Sequence, residues 1–97
     1  MASIKMTPQE LREAATFLES KRDDIVSAVG DLKSKVDATT AEWSGASQSS
    51  FLESFQEMLP MLTEQFPEVI TGIASQLTGA ADAIETADEE VAKAFRG

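Results

Sequence analysis

Apolar residues recur every three or four positions over most of this chain, in two long series separated by one short interruption. The first series is Leu11, Ala15, Leu18, Arg22, Ile25, Val29, Leu32, Val36, Thr39 and Trp43. Sustained alternation of threes and fours predicts a long amphipathic helix with a narrow, heptad-like seam. Arg22 interrupts that seam and Thr39 softens it. The second series is Phe51, Phe55, Leu59, Leu62, Phe66, Ile70, Ile73, Leu77, Ala81, Ile84, Val91 and Phe95. Extra steps of four near Phe55, Phe66 and Ile70 shift its stripe locally, as a stutter does.

The ends of these elements are written in the polar residues. Thr7 is the predicted N-cap of the first helix, Pro8 suits its first position, and Glu10 completes a capping box. Met6 and Leu11 stand at the two positions of a hydrophobic staple. Between the series lies Trp43-Ser44-Gly45, a lone large aromatic followed by a residue that accepts backbone angles others resist. The predicted fold is all-α: a helix-turn-helix hairpin in a single domain over 1–97. Helix one covers about 8–41, the turn about 42–46 and helix two about 47–94. Pro60 and Pro67 each remove an amide donor and press on the preceding turn. Because the apolar period survives on both sides, the reading is a bent but continuous helix, with a break at Pro60 as the alternative. Gly72 and Gly79, seven residues apart, read as tolerated glycines or as points of close helix approach.

One hairpin does not hide these stripes. Phe51, Phe55, Met58, Leu59, Leu62 and Phe66 cover more than the single seam between two antiparallel helices. Leaving such side chains wet forgoes about 1.5–3 kcal/mol each. A second hairpin would cover them, so the chain is expected to dimerise into an elongated antiparallel four-helix bundle.

Charge narrows the partners. The chain has 17 acidic and 8 basic residues, a net charge of −9. That balance argues against nucleic acid, whose backbone is bound through Lys and Arg. It also argues against an anionic membrane surface, and amphipathic helices with so few basic residues do not read as membrane-disrupting. No apolar run approaches the roughly 20 residues needed to span a bilayer, so no stable membrane insertion is expected. The residues before Met6 contain no apolar run of a cleavable signal peptide.

Chemistry is sparse. His and Cys are absent, which removes the commonest bases, nucleophiles and soft-metal ligands. Asp23-Asp24 and Asp88-Glu89-Glu90 lack calcium-loop spacing and its Gly, and no Gly-rich phosphate loop is present. No enzyme, cofactor or metal site is expected. Two positions break the apolar stripes. Arg22 reads as a long stem covering apolar surface with its head in water, or as the partner of an acid across the bundle. Asp88 falls within Ile84, Asp88, Val91 and Phe95, and reads either as part of a fraying end or as part of a recognition surface. Trp43 reads as an anchor that closes the hairpin.

Together these residues resemble a known family, the small type VII secretion substrates named for a WXG motif and a length of about a hundred residues, the ESAT-six-like proteins. The resemblance spans the whole chain. Its parts are the length, the paired helices, Trp43-Ser44-Gly45 at mid-chain, and a C-terminal pattern of a bulky residue, an acid, an aliphatic and a bulky residue, filled by Ile84, Asp88, Val91 and Phe95. The resemblance implies a protein cytoplasmic before export and then secreted, folded and uncleaved, by a system driven by a membrane ATPase. It implies a partner, either a second copy or a related family member. It also implies a bipartite signal in which the turn of one subunit, with Trp43 and Gly45, lies beside the partner's tail, with Ile84, Asp88, Val91 and Phe95. Mycobacterial members carry Tyr four residues before an acid. This chain has no Tyr and places Ile84 there, which points to the Gram-positive, homodimeric branch. The rival reading is an intracellular dimerisation adaptor or chaperone whose acidic bundle masks a larger partner.

Overall fold

The computed structural model describes residues 6–96. The chain is a helical hairpin. Helix α1 spans Pro8–Ala41, α2 spans Ala46–Pro60 and α3 spans Phe66–Arg96, with a π-helical segment, Met61–Gln65, joining α2 to α3. The helix α1 starts where its capping residues dictate. Thr7 is extended (φ −82°, ψ 156°) and its Oγ1 accepts from the Glu10 amide at 3.1 Å. The Thr7 carbonyl accepts the Leu11 amide at 3.1 Å. The return bond of a full capping box, from the Thr7 amide to the Glu10 carboxylate, is not made among the described residues.

The second arm stays helical through both prolines by changing its pitch. Pro60 (φ −59°, ψ −32°) and Phe66 (φ −65°, ψ −47°) keep right-handed helical angles, and the Phe66 amide bonds back to the Met61 carbonyl, five residues earlier. The wider turn gives the Pro67 ring space against the preceding carbonyls that an α-turn denies it. The Thr63 hydroxyl donates to the Leu59 carbonyl at 3.0 Å inside this segment. One extra residue in a turn also rotates everything after it by about 100°. The steps of four in the apolar series are what keep the stripe on the same side across that rotation.

The molecule measures 78 × 26 × 17 Å, with a radius of gyration of 22.0 Å. A compact chain of this length would have a radius near 13 Å. Its accessible surface is 7375 Å², about 2,000 Å² more than a compact monomer of this mass exposes. The core is a single seam. Leu11, Ala15, Val29 and Thr40 of α1 meet Phe55, Ala74 and Ala81 of the second arm. Only the small residues sink deeply: Ala81 is fully buried, whereas no large side chain among the described residues is. At the far end of α1, Thr40 is buried rather than Thr39, and its hydroxyl is satisfied by the Val36 carbonyl at 2.8 Å. Leu32, expected in the seam, is 45 % exposed. Gly72 and Gly79 have open space where a Cβ would stand, so neither serves close approach of α1.

The two sides of the hairpin differ. On α1, Ala28, Leu32 and Thr39 lie rotated one way from the buried line; on α3, Phe66, Ile73, Ile84 and Val91 are rotated from their buried line in the same sense, at about 100° per residue. In antiparallel helices the same sense of rotation points to the same side. That side carries these apolar residues, with Lys21 and Lys35 of α1 among them, and α2 extends it with exposed Phe51 and Met58. The opposite side carries Arg12, whose Nη2 donates to Asp82 at 2.7 Å and to Glu85 at 2.8 Å, and Arg22, whose Nη1 donates to the Thr71 hydroxyl at 2.9 Å.

Two glycines should respond oppositely to alanine. Gly45 has φ 120° and ψ 179°, a region open to little but glycine. Gly45→Ala should destabilise by about 1–3 kcal/mol through backbone strain, although no atom blocks the new methyl group. Gly30→Ala, within α1 and equally unobstructed, should stabilise by about 0.5–1 kcal/mol. Urea titrations of both variants followed by circular dichroism check the signs.

Candidate functional site

The turn is locked by its backbone. Glu42 and Trp43 amides bond to the carbonyls of Thr39 and Thr40 at 3.3 and 3.1 Å, closing α1. The Gln48 Nε2 of α2 reaches back to the Thr40 carbonyl at 3.1 Å, so one α1 carbonyl is held from both sides of the bend. Gly45 reverses the chain, and the Ser49 amide then bonds to its carbonyl at 3.3 Å to open α2. Within this frame Trp43 stacks obliquely on Phe51 (ring centroids 5.7 Å apart, 41° between planes) and Phe51 stacks on Phe55 at 6.2 Å. Phe55 is buried, but Trp43 remains 39 % exposed. Trp43 is thus the outer member of an aromatic ladder rather than a sealed plug. Beside it opens a cavity of about 150 Å³, lined by Lys35, Val36, Thr39, Thr40, Trp43 and Phe51.

The four tail residues stand at the other end. Helix α1 is about 50 Å long at 1.5 Å per residue, against 78 Å for the whole molecule. The end of α3 therefore projects past α1, and from Asp82 to Arg96 only Ala92 is less than exposed. Asp88, Val91 and Phe95 stand on this projection, and Ile84, level with Arg12 of α1 between Asp82 and Glu85, shares their face at steps of four, three and four. Phe95 is 88 % exposed. Asp88 sits in water among apolar neighbours, without a salt bridge to the described residues of its own chain. The structure thus brings Trp43 close to Gly45, gathers the four tail residues together, and sets the two groups about 65 Å apart along the second arm.

Some features were not visible in the sequence. Arg22 does reach across the hairpin, but to a hydroxyl, Thr71, while the acid it pairs with is its neighbour Asp23 at 3.1 Å. The Arg12–Asp82–Glu85 cluster needs the register of the two arms, which periodicity leaves open by a turn either way. The hydrogen bonds that Arg12 donates to Asp82 and then to Glu85 raise its pKa above its ordinary value. The Gln48 latch had no signal beyond a polar residue near a turn. Phe17, exposed on α1 with the Lys21 Nζ 5.4 Å from its ring centre, also lies outside the predicted seam. Among the described residues no cluster of ligating side chains could hold a metal ion, and no helix is long and apolar enough to cross a membrane. What the surface offers is contact: an apolar side, an aromatic cavity and a projecting helix.

Comparisons with known proteins agree on one family. Residues 3–89 match WXG100, described as proteins of 100 residues with WXG. The type VII secretion system extracellular protein A of Staphylococcus aureus is 33 % identical over 95 residues, covering 98 % of this chain and 97 % of that protein. A crystal structure of the secreted protein EsxB from Bacillus anthracis superposes with a TM-score of 0.76 at 27 % identity, covering 91 % of this chain and 99 % of that one. EsxA of Geobacillus thermodenitrificans has the same fold, with a TM-score of 0.76 at 24 % identity over 93 % and 97 % of the two chains.

The latch across the bend can be weighed directly. Gln48→Ala removes one hydrogen bond to the Thr40 carbonyl and should lower the unfolding free energy by about 0.5–1.5 kcal/mol, read as an earlier midpoint in urea with an unchanged slope.

Proposed function

The chain belongs to the WXG100 family, and on that premise we propose that it is a secreted, non-enzymatic substrate of a type VII secretion system, exported as a folded dimer. The single observation that carries the dimer is the apolar side of the hairpin. Phe51, Met58, Phe66, Ile73, Ile84 and Val91 all stand exposed along it, and a contiguous patch of that extent marks an interaction surface. The excess surface of about 2,000 Å² per chain is on the scale that obligate dimers bury. An antiparallel four-helix bundle of two copies covers it, with a related family member as the other partner of suitable shape.

In such a pair the bend of each copy approaches the tail of the other. The export signal is then composite: Trp43 and Gly45 from one copy, and Ile84, Asp88, Val91 and Phe95 from its partner. Two features support this. Trp43 is held at the surface by the ladder beneath it, and Asp88 is a solvated acid on an otherwise apolar helix end. A membrane ATPase of the secretion system is the proposed reader. It would recognise the aromatic and aliphatic residues by burial and the Asp88 carboxylate by charge-assisted hydrogen bonds.

Trp43→Ala and Asp88→Ala test this reading in a strain that exports the protein. Each should cut the amount in culture supernatant by about tenfold or more, the effect of losing at least 1.4 kcal/mol of recognition, while intracellular protein stays helical. Undiminished export of both variants contradicts the site assignment.

A further inference from the structure

Helix α3 loses its cover before it ends, and one side chain of α1 stands where that happens. Ala81 is fully buried, and no later described residue of α3 is buried. Just beyond it Arg12, in the second turn of α1, spans two carboxylates one turn apart. Its Nη2 donates to Asp82 at 2.7 Å and to Glu85 at 2.8 Å, and its Nε donates to the same Glu85 oxygen at 3.2 Å. Among the described residues, no side-chain hydrogen bond joins the two arms beyond this point of α3. We propose that Arg12 is a positioning residue for the tail: it clamps the base of the projecting helix and so holds Asp88, Val91 and Phe95 on one ordered face. Its bearing on export rests on the reading of those residues as half of the signal.

The charges of this segment explain why a clamp matters there. From Asp82 to Glu90 the helix carries Asp82, Glu85, Asp88, Glu89 and Glu90 and no basic residue. Glu85 lies three residues from Asp82 and from Asp88 and four from Glu89, the spacings at which like charges on a helix repel. These acids also crowd toward the C-terminal end of α3, where the helix dipole disfavours negative charge. Lys93 and Arg96 offset this only in the last turn. Upstream in the chain the nearest basic residue is Lys35. A counter-charge for the first acids therefore comes from the other arm, and the register of the hairpin delivers Arg12 to Asp82 and Glu85. A guanidinium suits the task, because its planar set of donors reaches both carboxylates at once. The clamp also lies clear of the dimer contact: Arg12 is on the side of the hairpin opposite the one that carries Phe66, Ile73, Ile84 and Val91. Exposed ion pairs add little to global stability, so the effect of this one falls on the helix end beyond it.

Hydrogen exchange of the full chain, read by mass spectrometry at one protein concentration, tests the clamp through the amides of residues 86–96. In Arg12→Gln these should exchange about fivefold faster, while the amides of residues 51–75 keep wild-type rates and the urea midpoint stays close to wild type. Arg22→Gln removes the other side-chain hydrogen bond from α1 to α3, to Thr71, and should leave tail exchange at the wild-type rate. With Asp82→Asn and Glu85→Gln already in place, adding Arg12→Gln should change the tail rates by less than about twofold, because the partners of the clamp are gone. Export of Arg12→Gln should fall about twofold, less than for Asp88→Ala, since a tail ordered for part of the time is recognised in proportion to that fraction. Wild-type tail exchange in Arg12→Gln overturns the clamp. So does an equal acceleration by Arg22→Gln, or an undiminished effect of Arg12→Gln in the chain that lacks both acids. Accelerated tail exchange with undiminished export upholds the clamp and contradicts the place of the tail in the export signal.

Discussion

A pair of helices has one seam between them, and this chain has more apolar surface than one seam can take. That mismatch governs the rest of the structure. The seam of Leu11, Ala15, Val29, Phe55, Ala74 and Ala81 is narrow and filled at its closest points by alanines, which let the helices approach but bury little area. The larger side chains, from Phe51 to Val91, are turned aside onto one face of the hairpin. Burial at about 25 cal/mol per Å² cannot be collected there by a lone chain. The opposite face, with Arg12 between Asp82 and Glu85 and Arg22 on Thr71, is already satisfied by exposed ion pairs and hydrogen bonds that contribute little to stability. The hairpin is thus built with one side finished and one side open.

The bend and the π-helical segment hold that open side in one piece. Gly45 takes an angle that alanine resists, and Gln48 and Trp43 both fasten to the Thr40 carbonyl, which sets the angle at which α2 leaves α1. Fifteen residues on, two prolines would otherwise turn the stripe away from its partner. The single wide turn at Met61–Gln65 satisfies the backbone and rotates α3 so that Phe66, Ile73 and Ile84 continue the face begun by Phe51 and Met58. Local backbone chemistry here is in service of a long-range surface.

Much of this was legible in the sequence, because helices announce themselves by period. The two series of threes and fours gave an all-α hairpin, Thr7 and Pro8 its beginning, and Trp43-Ser44-Gly45 its bend; the same residues supported the family that the comparisons then established. The pattern also showed too many apolar residues for one seam. What periodicity does not carry is the fine phase of one helix against another. It placed Thr39 and Leu32 in the seam, where the structure buries Thr40 and leaves Leu32 largely outside. It offered Arg22 an acid across the hairpin, where the structure supplies Thr71. It left Pro60 between a bend and a break, because the third option, a wider helical turn, depends on a five-residue hydrogen bond with no compositional mark. The cavity beside Trp43 is likewise a product of how two helices and a bend meet.

The account stands or falls on whether the open side is covered by a second copy. Sedimentation equilibrium of the purified full chain at micromolar concentration measures this without reference to any site. A particle of twice the 10.4 kDa chain mass is the predicted result. A stable species of one chain mass across that range, with its helices intact, would contradict it.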